Sequence, residues 1–262
     1  MKVVLFCGGL GLRMREHSER IPKGMVPIGY RPIVWHVMRY YAHFGHREFI
    51  LCLGYRADAF KRFFLSYQEA LSNDFIFSDG GTTIELLGSD TDDWRISLVD
   101  TGAHATIAER LLAARSHLGD DEVFLANYAD TLTDAPLDVM ASDFLASDAT
   151  AAFLSVRPVN YSFHVVRMAG DGRVSRLDDI RTADLWINGG YFMLRREILD
   201  EIQSGEELVV EPFARLADAG RLLAYRHEGF WAPLDTIKDI AALEEGFASG
   251  RAPWAPWMRN AG

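Results

Sequence analysis

The chain has 262 residues, 49% of them hydrophobic and 24% charged, enough apolar material for one large α/β core with at most a small appendage. Its 27 basic and 37 acidic residues give a formal charge of −10, which excludes broad nucleic-acid binding, because that rests on basic surface. Met1-Lys2-Val3 enters a strand pattern directly and no apolar run nears the ~20 residues of a membrane-spanning helix, so neither a signal peptide nor a membrane span is expected. Cys7 and Cys52 fall inside strand-like runs and read as small buried hydrophobes in a reducing, cytoplasmic compartment.

The first strand-like run, 2–7, passes straight into Gly8-Gly9-Leu10-Gly11-Leu12-Arg13, and Ile21-Pro22-Lys23 follows. Glycines let backbone N–H groups approach phosphate oxygens, while Arg13 and Lys23 supply charge that amides lack. The glycines alone read equally well as an ordinary strand-to-helix turn; the two cations turn the reading toward a polyphosphate. No Lys-Ser or Lys-Thr follows, as a P-loop requires, and Met14 stands where a dinucleotide fingerprint wants a small residue.

Helical patterns at 32–43 and 57–67 alternate with strand-like runs at 48–53, 122–127 and 151–156, which predicts a layered, mainly parallel sheet. In such sheets ligands gather beyond the carboxyl ends of strands, which singles out residues 8–13, Gly54 and Tyr128-Ala129-Asp130. Between about 75 and 101 the pattern changes: 82–87 and 94–99 read as two short strands of an inserted hairpin, joined by Gly88-Ser89-Asp90-Thr91-Asp92-Asp93. A second hairpin is expected where 163–168 and 174–177 flank Ala169-Gly170-Asp171-Gly172. A strand over 186–194 and a helix over 206–219 follow, and the Pro-Trp tail at 252–257 is too apolar to stay in water, so it must pack on the body or on another subunit.

Asp130 closes an apolar run and so sits at a strand mouth, where a carboxylate suits a hard divalent ion; nucleotide-bound Mg²⁺ takes one or two protein carboxylates and fills its other positions with water and phosphate. Asp235 has two readings, an N-cap for a helix starting near Ile237 or, paired with Asp130, a second metal ligand. Asn188-Gly189-Gly190 interrupts an apolar stretch and is either a bulge or a place where a sugar phosphate meets the backbone. The histidines are scattered, which sets zinc aside, and no Gly-x-Ser-x-Gly elbow supports a covalent nucleophile.

Taken together, the front loop, Pro22-Lys23-Gly24-Met25-Val26-Pro27, Tyr128-Ala129-Asp130, Asn188-Gly189-Gly190 and Pro233-Leu234-Asp235-Thr236 resemble the sugar-1-phosphate nucleotidylyltransferases. Pro32-Ile33-Val34-Trp35-His36, Leu98-Val99-Asp100-Thr101-Gly102 and Ala252-Pro253-Trp254 look like the glucose-1-phosphate cytidylyltransferases among them, so the resemblance spans nearly the whole chain. It implies a Rossmann-like fold with a mixed, mainly parallel sheet flanked by helices and inserted β-hairpins. The whole of 1–262 would form one nucleotidyltransferase domain, with hairpins at about 75–101 and 163–177 and a C-terminal helix and tail at about 237–262. It also implies attack of a sugar 1-phosphate on the α-phosphorus of a nucleoside triphosphate, CTP for preference, in a homo-oligomer that binds neither nucleic acid nor membrane.

In that scheme Arg13 and Lys23 steady the triphosphate, Gly8, Gly9 and Gly11 meet the nucleotide through their backbone, Arg110 serves the nucleotide loop, and Asp130 and Asp235 hold Mg²⁺. Tyr128, Asn188 and Gly189 face the sugar. Three departures from the family pattern stand out: Leu12 replaces a threonine, Arg181 in Leu177-Asp178-Asp179-Ile180-Arg181-Thr182 stands where a lysine grips the substrate phosphate, and Ile107-Ala108-Glu109-Arg110 replaces a glycine-rich nucleotide loop. These departures leave open an altered phosphorylated acceptor, or a binding module without turnover.

Overall fold

The computed structural model describes residues 1–9, 21–158 and 163–258. Within them the strands run β1 (Val3–Phe6), β2 (Pro27–Ile28), β3 (Arg31–Pro32), β4 (Glu48–Leu53), β5 (Phe75–Ser78), β6 (Thr83–Leu86), β7 (Arg95–Asp100) and β8 (Val123–Asn127). They continue as β9 (Thr131–Thr133), β10 (Ala151–Val156), β11 (His164–Met168), β12 (Val174–Asp179), β13 (Ile187–Arg195), β14 (Leu222–His227) and β15 (Trp231–Pro233). The helices are α1 (Ile33–His43), α2 (Ala57–Leu65), α3 (Ile107–Ala114), α4 (Leu137–Ala146), α5 (Ile198–Glu201), α6 (Glu211–Asp218) and α7 (Ile237–Ala248).

Seven strands form the central sheet in the order β14-β10-β13-β8-β1-β4-β7. Only β13 runs against its neighbours, so the sheet is mixed and mainly parallel, as the alternation of patterns predicts. β1 is buried on both faces, as a continuous apolar run in the middle of a parallel sheet must be. Val3 and Leu5 pack in one layer with Val34, Val37 and Met38 of α1. Val4 and Phe6 pack in the other with Leu111 of α3 and Phe213 and Leu216 of α6.

α1 is buried almost all round because a further layer covers it. Phe247 of α7 meets His36 edge-on at 5.4 Å, and Trp257 of the tail meets Trp35 at 6.3 Å. Trp254 lies against Phe230 at 5.3 Å and is 2% exposed, so the tail packs on the body. Among the described residues no helix is long and apolar enough to cross a membrane.

Two expectations change. The strand over 82–87 does not pair with 94–99: β6 turns back on β5 through Asp79-Gly80-Gly81, while β7 runs parallel to β4 as the edge of the main sheet. The reason lies in packing, since Trp94, Ile96 and Leu98 rest on the core layer of α1 and hold β7 in the sheet. The polar stretch between them is a linker pinned by Glu69, whose carboxylate accepts bonds from Ser89, Asp90 and Thr91. The helix expected over 206–219 begins only at Glu211, with Pro212 in its first turn, where a missing N–H costs nothing.

Candidate active site

β8 ends at Asn127, and the next three residues turn sharply. Asn127 Oδ1 accepts from Ala129 N at 2.7 Å, which holds Ala129 in the left-handed region at φ 62° and swings Asp130 out of the sheet. β9 then pairs antiparallel with β15, Thr131 opposite Pro233, and Leu234 N donates to Asp130 O at 2.9 Å. That ribbon sets Asp130, just before β9, beside Asp235, just after β15. Lys23 comes from a third direction, on the 3₁₀ turn Lys23–Met25 that follows Pro22. Gly24 keeps that turn close: a Cβ there would lie 3.0 Å from the Phe60 ring.

The three side chains meet. Lys23 Nζ donates to Asp130 Oδ2 at 2.7 Å and to Asp235 Oδ1 at 2.5 Å, across 107 and 212 positions of sequence, so the fold rather than local chain builds the cluster. Each side chain is about 20% exposed, shielded yet open to a ligand. Burial pushes Lys23 toward neutrality, but the attraction and hydrogen bonds of the two carboxylates outweigh it and hold its pKa above the ordinary lysine value. Burial raises the Asp130 pKa, and Lys23 offsets only part of that.

Asp235 is not the cap of α7. Thr236 is, in a capping box: its hydroxyl accepts from Asp239 N at 3.2 Å and Asp239 Oδ2 accepts from Thr236 N at 2.8 Å. The carboxylate of Asp235 is thereby available to face Lys23.

A second construction ties the strand ends together. Arg110, 3% exposed, donates to Gly8 O at 3.0 Å after β1, to Leu53 O at 3.2 Å at the end of β4, and to Thr101 Oγ1 at 2.7 Å after β7. Gly8 and Gly54 make room for the guanidinium, since a Cβ would come within 2.1 Å and 2.8 Å of its Nη1. The segment 107–110 is therefore not loop but the first turn of α3, started by a capping box of Thr106 and Glu109. The Thr-x-x-Glu pattern at 106–109 is the sequence signal of this helix start, so the expected loop is helix. Gly9 differs from Gly8: it is exposed, and among the described residues no atom lies within 4 Å of where its Cβ would be. Gly11 and Arg13 lie outside the described residues.

On the other side of the strand ends, Asn188-Gly189-Gly190 is a bulge: β13 carries extra residues between Asn188, opposite Ser155, and Phe192, opposite Phe153. Asn188 Oδ1 accepts from Gly190 N at 2.8 Å and its Nδ2 donates to the Tyr128 hydroxyl at 3.2 Å, so two expected substrate residues do meet. Gly190 has φ 79° and a Cβ there would strike the Tyr128 ring. Burial pushes the Tyr128 hydroxyl up to about 12. Gly189 O accepts from Trp231 Nε1 at 2.8 Å, which fastens the bulge to the β15 ribbon. Arg181 stands apart on the exposed turn after β12, its Nε and Nη2 donating to the two carboxylate oxygens of Asp179, which holds that carboxyl well below its ordinary range.

Residues 2–247 match the family described as nucleotidyl transferase. The chain is 34% identical over 259 residues to a probable glucose-1-phosphate cytidylyltransferase of Bacillus subtilis, covering 98% of this chain and 100% of that relative. It is 35% identical over 260 residues to the glucose-1-phosphate cytidylyltransferase of Salmonella typhimurium, with the same coverage. Among solved structures, HddC from Yersinia pseudotuberculosis shares the fold with a TM-score of 0.67 at 18% identity, over 94% of this chain and 99% of that one. A glycine-lined edge of parallel strands facing a lysine and two convergent acids is thus carried by a chain that belongs to the nucleotidyl transferase family.

Proposed function

We propose that this nucleotidyltransferase joins a sugar 1-phosphate, glucose 1-phosphate or a close relative, to a nucleoside triphosphate, CTP for preference. A phosphate oxygen of the sugar 1-phosphate attacks the α-phosphorus in line, the bond to the bridging oxygen of the β-phosphate breaks, and pyrophosphate leaves. The convergence of Asp130 and Asp235 on one cationic point, 2.7 and 2.5 Å from Lys23 Nζ, carries the reading. Among the described residues no atom lies within 4 Å of a Cβ placed on Gly9, which leaves its backbone open to a nucleotide in this reading. CTP and glucose 1-phosphate are favoured because the two cytidylyltransferase relatives align over nearly the full chain.

In this reading Lys23 and Arg13 neutralise charge on the triphosphate and the leaving pyrophosphate, and Gly8, Gly9 and Gly11 line it with backbone. Arg110 acts on the nucleotide at one remove, by fixing the carbonyl of Gly8. Tyr128, Asn188 and Gly189 orient the sugar. Hard oxygen donors that converge on the Lys23 ammonium fit Mg²⁺, so Asp130 and Asp235 would hold it. Among the described residues no third carboxylate, histidine or cysteine joins them, which leaves the other positions to water and phosphate. Bound there, Mg²⁺ would withdraw charge from the phosphate oxygens.

The reading treats the chain as a single nucleotidyltransferase domain, 1–262, with its inserted hairpins and C-terminal tail. It places the protein in the cytoplasm, which both cysteines being free supports. A homo-oligomer is part of it, supported by the exposed apolar face of the β5–β6 hairpin, where Phe75 faces Leu86 and Phe77 faces Ile84.

The exposed Arg181 favours one variant, an acceptor other than glucose 1-phosphate, since a guanidinium replaces an ammonium there. The test is pyrophosphate release with Mg²⁺, the four ribonucleoside triphosphates and dTTP, against a panel of sugar 1-phosphates, with mass spectrometry of the product. Release with CTP and glucose 1-phosphate is expected. Silence across the panel with saturable nucleotide binding would mean a binding module instead.

A further inference from the structure

Both carboxylates that the proposed reaction assigns to its metal are engaged by a side chain of the same protein. The ammonium of Lys23 makes a charge-assisted hydrogen bond to each, at 2.7 Å and 2.5 Å. Carboxylate oxygens take Mg²⁺ at about 2.1 Å, so an ion bound to these two oxygens needs the space the ammonium fills. The two cations are alternatives, not companions.

Lysine suits an exchange of this kind. Its charge is a compact point on a flexible four-carbon stem, held here by one mobile side chain rather than by backbone. If a metal ion arrives alone, the ammonium must leave two carboxylates, the only acids it pairs with among the described residues. If a triphosphate arrives as well, its oxygens give the ammonium a new partner within the same site. The exchange then loses little.

We propose that Lys23 is an internal cation that holds the metal's place between Asp130 and Asp235, and that nucleotide binding draws it onto the triphosphate and so releases the acids to the metal. Lys23 therefore has two successive partners in one turnover, and metal and nucleotide affinities are positively coupled through it. The same exchange keeps the partly buried acid pair facing a cation between turnovers, which offsets their mutual repulsion at the ribbon ends. The inference rests on the reading that these acids hold the metal.

The experiment titrates Mn²⁺, followed by the EPR signal of the free ion, into EDTA-stripped wild type, Lys23→Met and Lys23→Gln, each with and without Asp130→Asn, with circular dichroism confirming the fold. Both Lys23 variants should bind one Mn²⁺ about ten-fold or more tighter than wild type in the absence of nucleotide, within the usual span of a coupling between sites. The added Asp130→Asn should erase the gain. Equal Mn²⁺ affinity with and without the lysine, still weakened by Asp130→Asn, overturns the exchange and leaves the metal reading standing. Affinity indifferent to Asp130→Asn throughout overturns both. On the wild type, lysine labelled with ¹³C at the ε position gives an independent readout: saturating Mg²⁺ should shift the Lys23 resonance, and an unmoved signal refutes the exchange.

Discussion

The two sides of the strand-end edge are built differently. On the side we assign to the nucleotide, the ends of β1, β4 and β7 are locked by Arg110, a buried cation whose bonds go to backbone and to Thr101. On the side proposed for the acceptor, the strand partner is antiparallel, bulged at Gly189 and Gly190, and continued outward through β11 and β12, with Arg181 exposed just beyond. The triphosphate is the part common to all substrates of a nucleotidyl transfer, and a rigid floor suits it. In the proposed arrangement the acceptor meets the part of the molecule where substitution disturbs least packing.

The contrast turns on the cluster that both sides share, so its removal has the largest effect. Asp130→Asn and Asp235→Asn should each lower kcat about a thousand-fold or more while leaving the melting temperature nearly unchanged, since charge at the transferring phosphoryl group is where such catalysis resides. Steady-state kinetics beside thermal unfolding checks this. Near-normal turnover in either variant would remove that acid from the reaction.

Next in size is the lock. Arg110→Ala removes three hydrogen bonds from a buried site and leaves Gly8 O without its partner, so unfolding should cost about 2 to 3 kcal/mol less. Nucleotide KM should rise while acceptor KM holds. If both Michaelis constants moved together, the two sides would not be separable and the comparison would fail.

Much of this frame is legible before any coordinates. The apolar runs give β1, β4, β8 and β10, because strands buried on both faces leave continuous hydrophobic sequence. Asp130 and Lys23 are visible because charged residues beside such runs need a reason. The edge strand β14 escapes notice, half exposed and without a strict alternation, and so does the true partner of β6, because pairing is decided by the core beneath β7 rather than by the nearest turn. Arg110 is legible as a residue but not as a lock, since three strand ends far apart in sequence have to converge before its bonds exist. The roles of Asn127 and Ala129 depend on one backbone angle, which residue type alone does not announce.

A smaller effect tests the exposed side. Arg181→Ala should raise the acceptor KM by about ten-fold, the loss of one charge-assisted contact, with stability nearly unchanged, because Arg181 is exposed and its pair with the partly exposed Asp179 is screened by water. Isothermal titration with the acceptor and urea unfolding separate the two quantities. An unchanged acceptor affinity and rate would assign Arg181 to nothing more than the turn.

The smallest expected effect sits where the two sides join. Ala129 is held at φ 62° by the bond from its N–H to Asn127 Oδ1, a conformation that costs an alanine about 1 kcal/mol or more. Ala129→Gly removes that strain, but the methyl it deletes is 1% exposed, worth about 0.8 kcal/mol of burial, and glycine adds about 0.5 to 1 kcal/mol of unfolded-state entropy. The terms nearly cancel, so stability should change by no more than about 0.5 kcal/mol. Activity should stay within about two-fold, because Leu234 N still binds Asp130 O and the β9–β15 ribbon still aims the carboxylate. Guanidinium unfolding and kcat measured together decide it: a fall in kcat beyond ten-fold at unchanged stability would mean that the strained residue, not the ribbon, positions Asp130, and the junction would then belong to the rigid side.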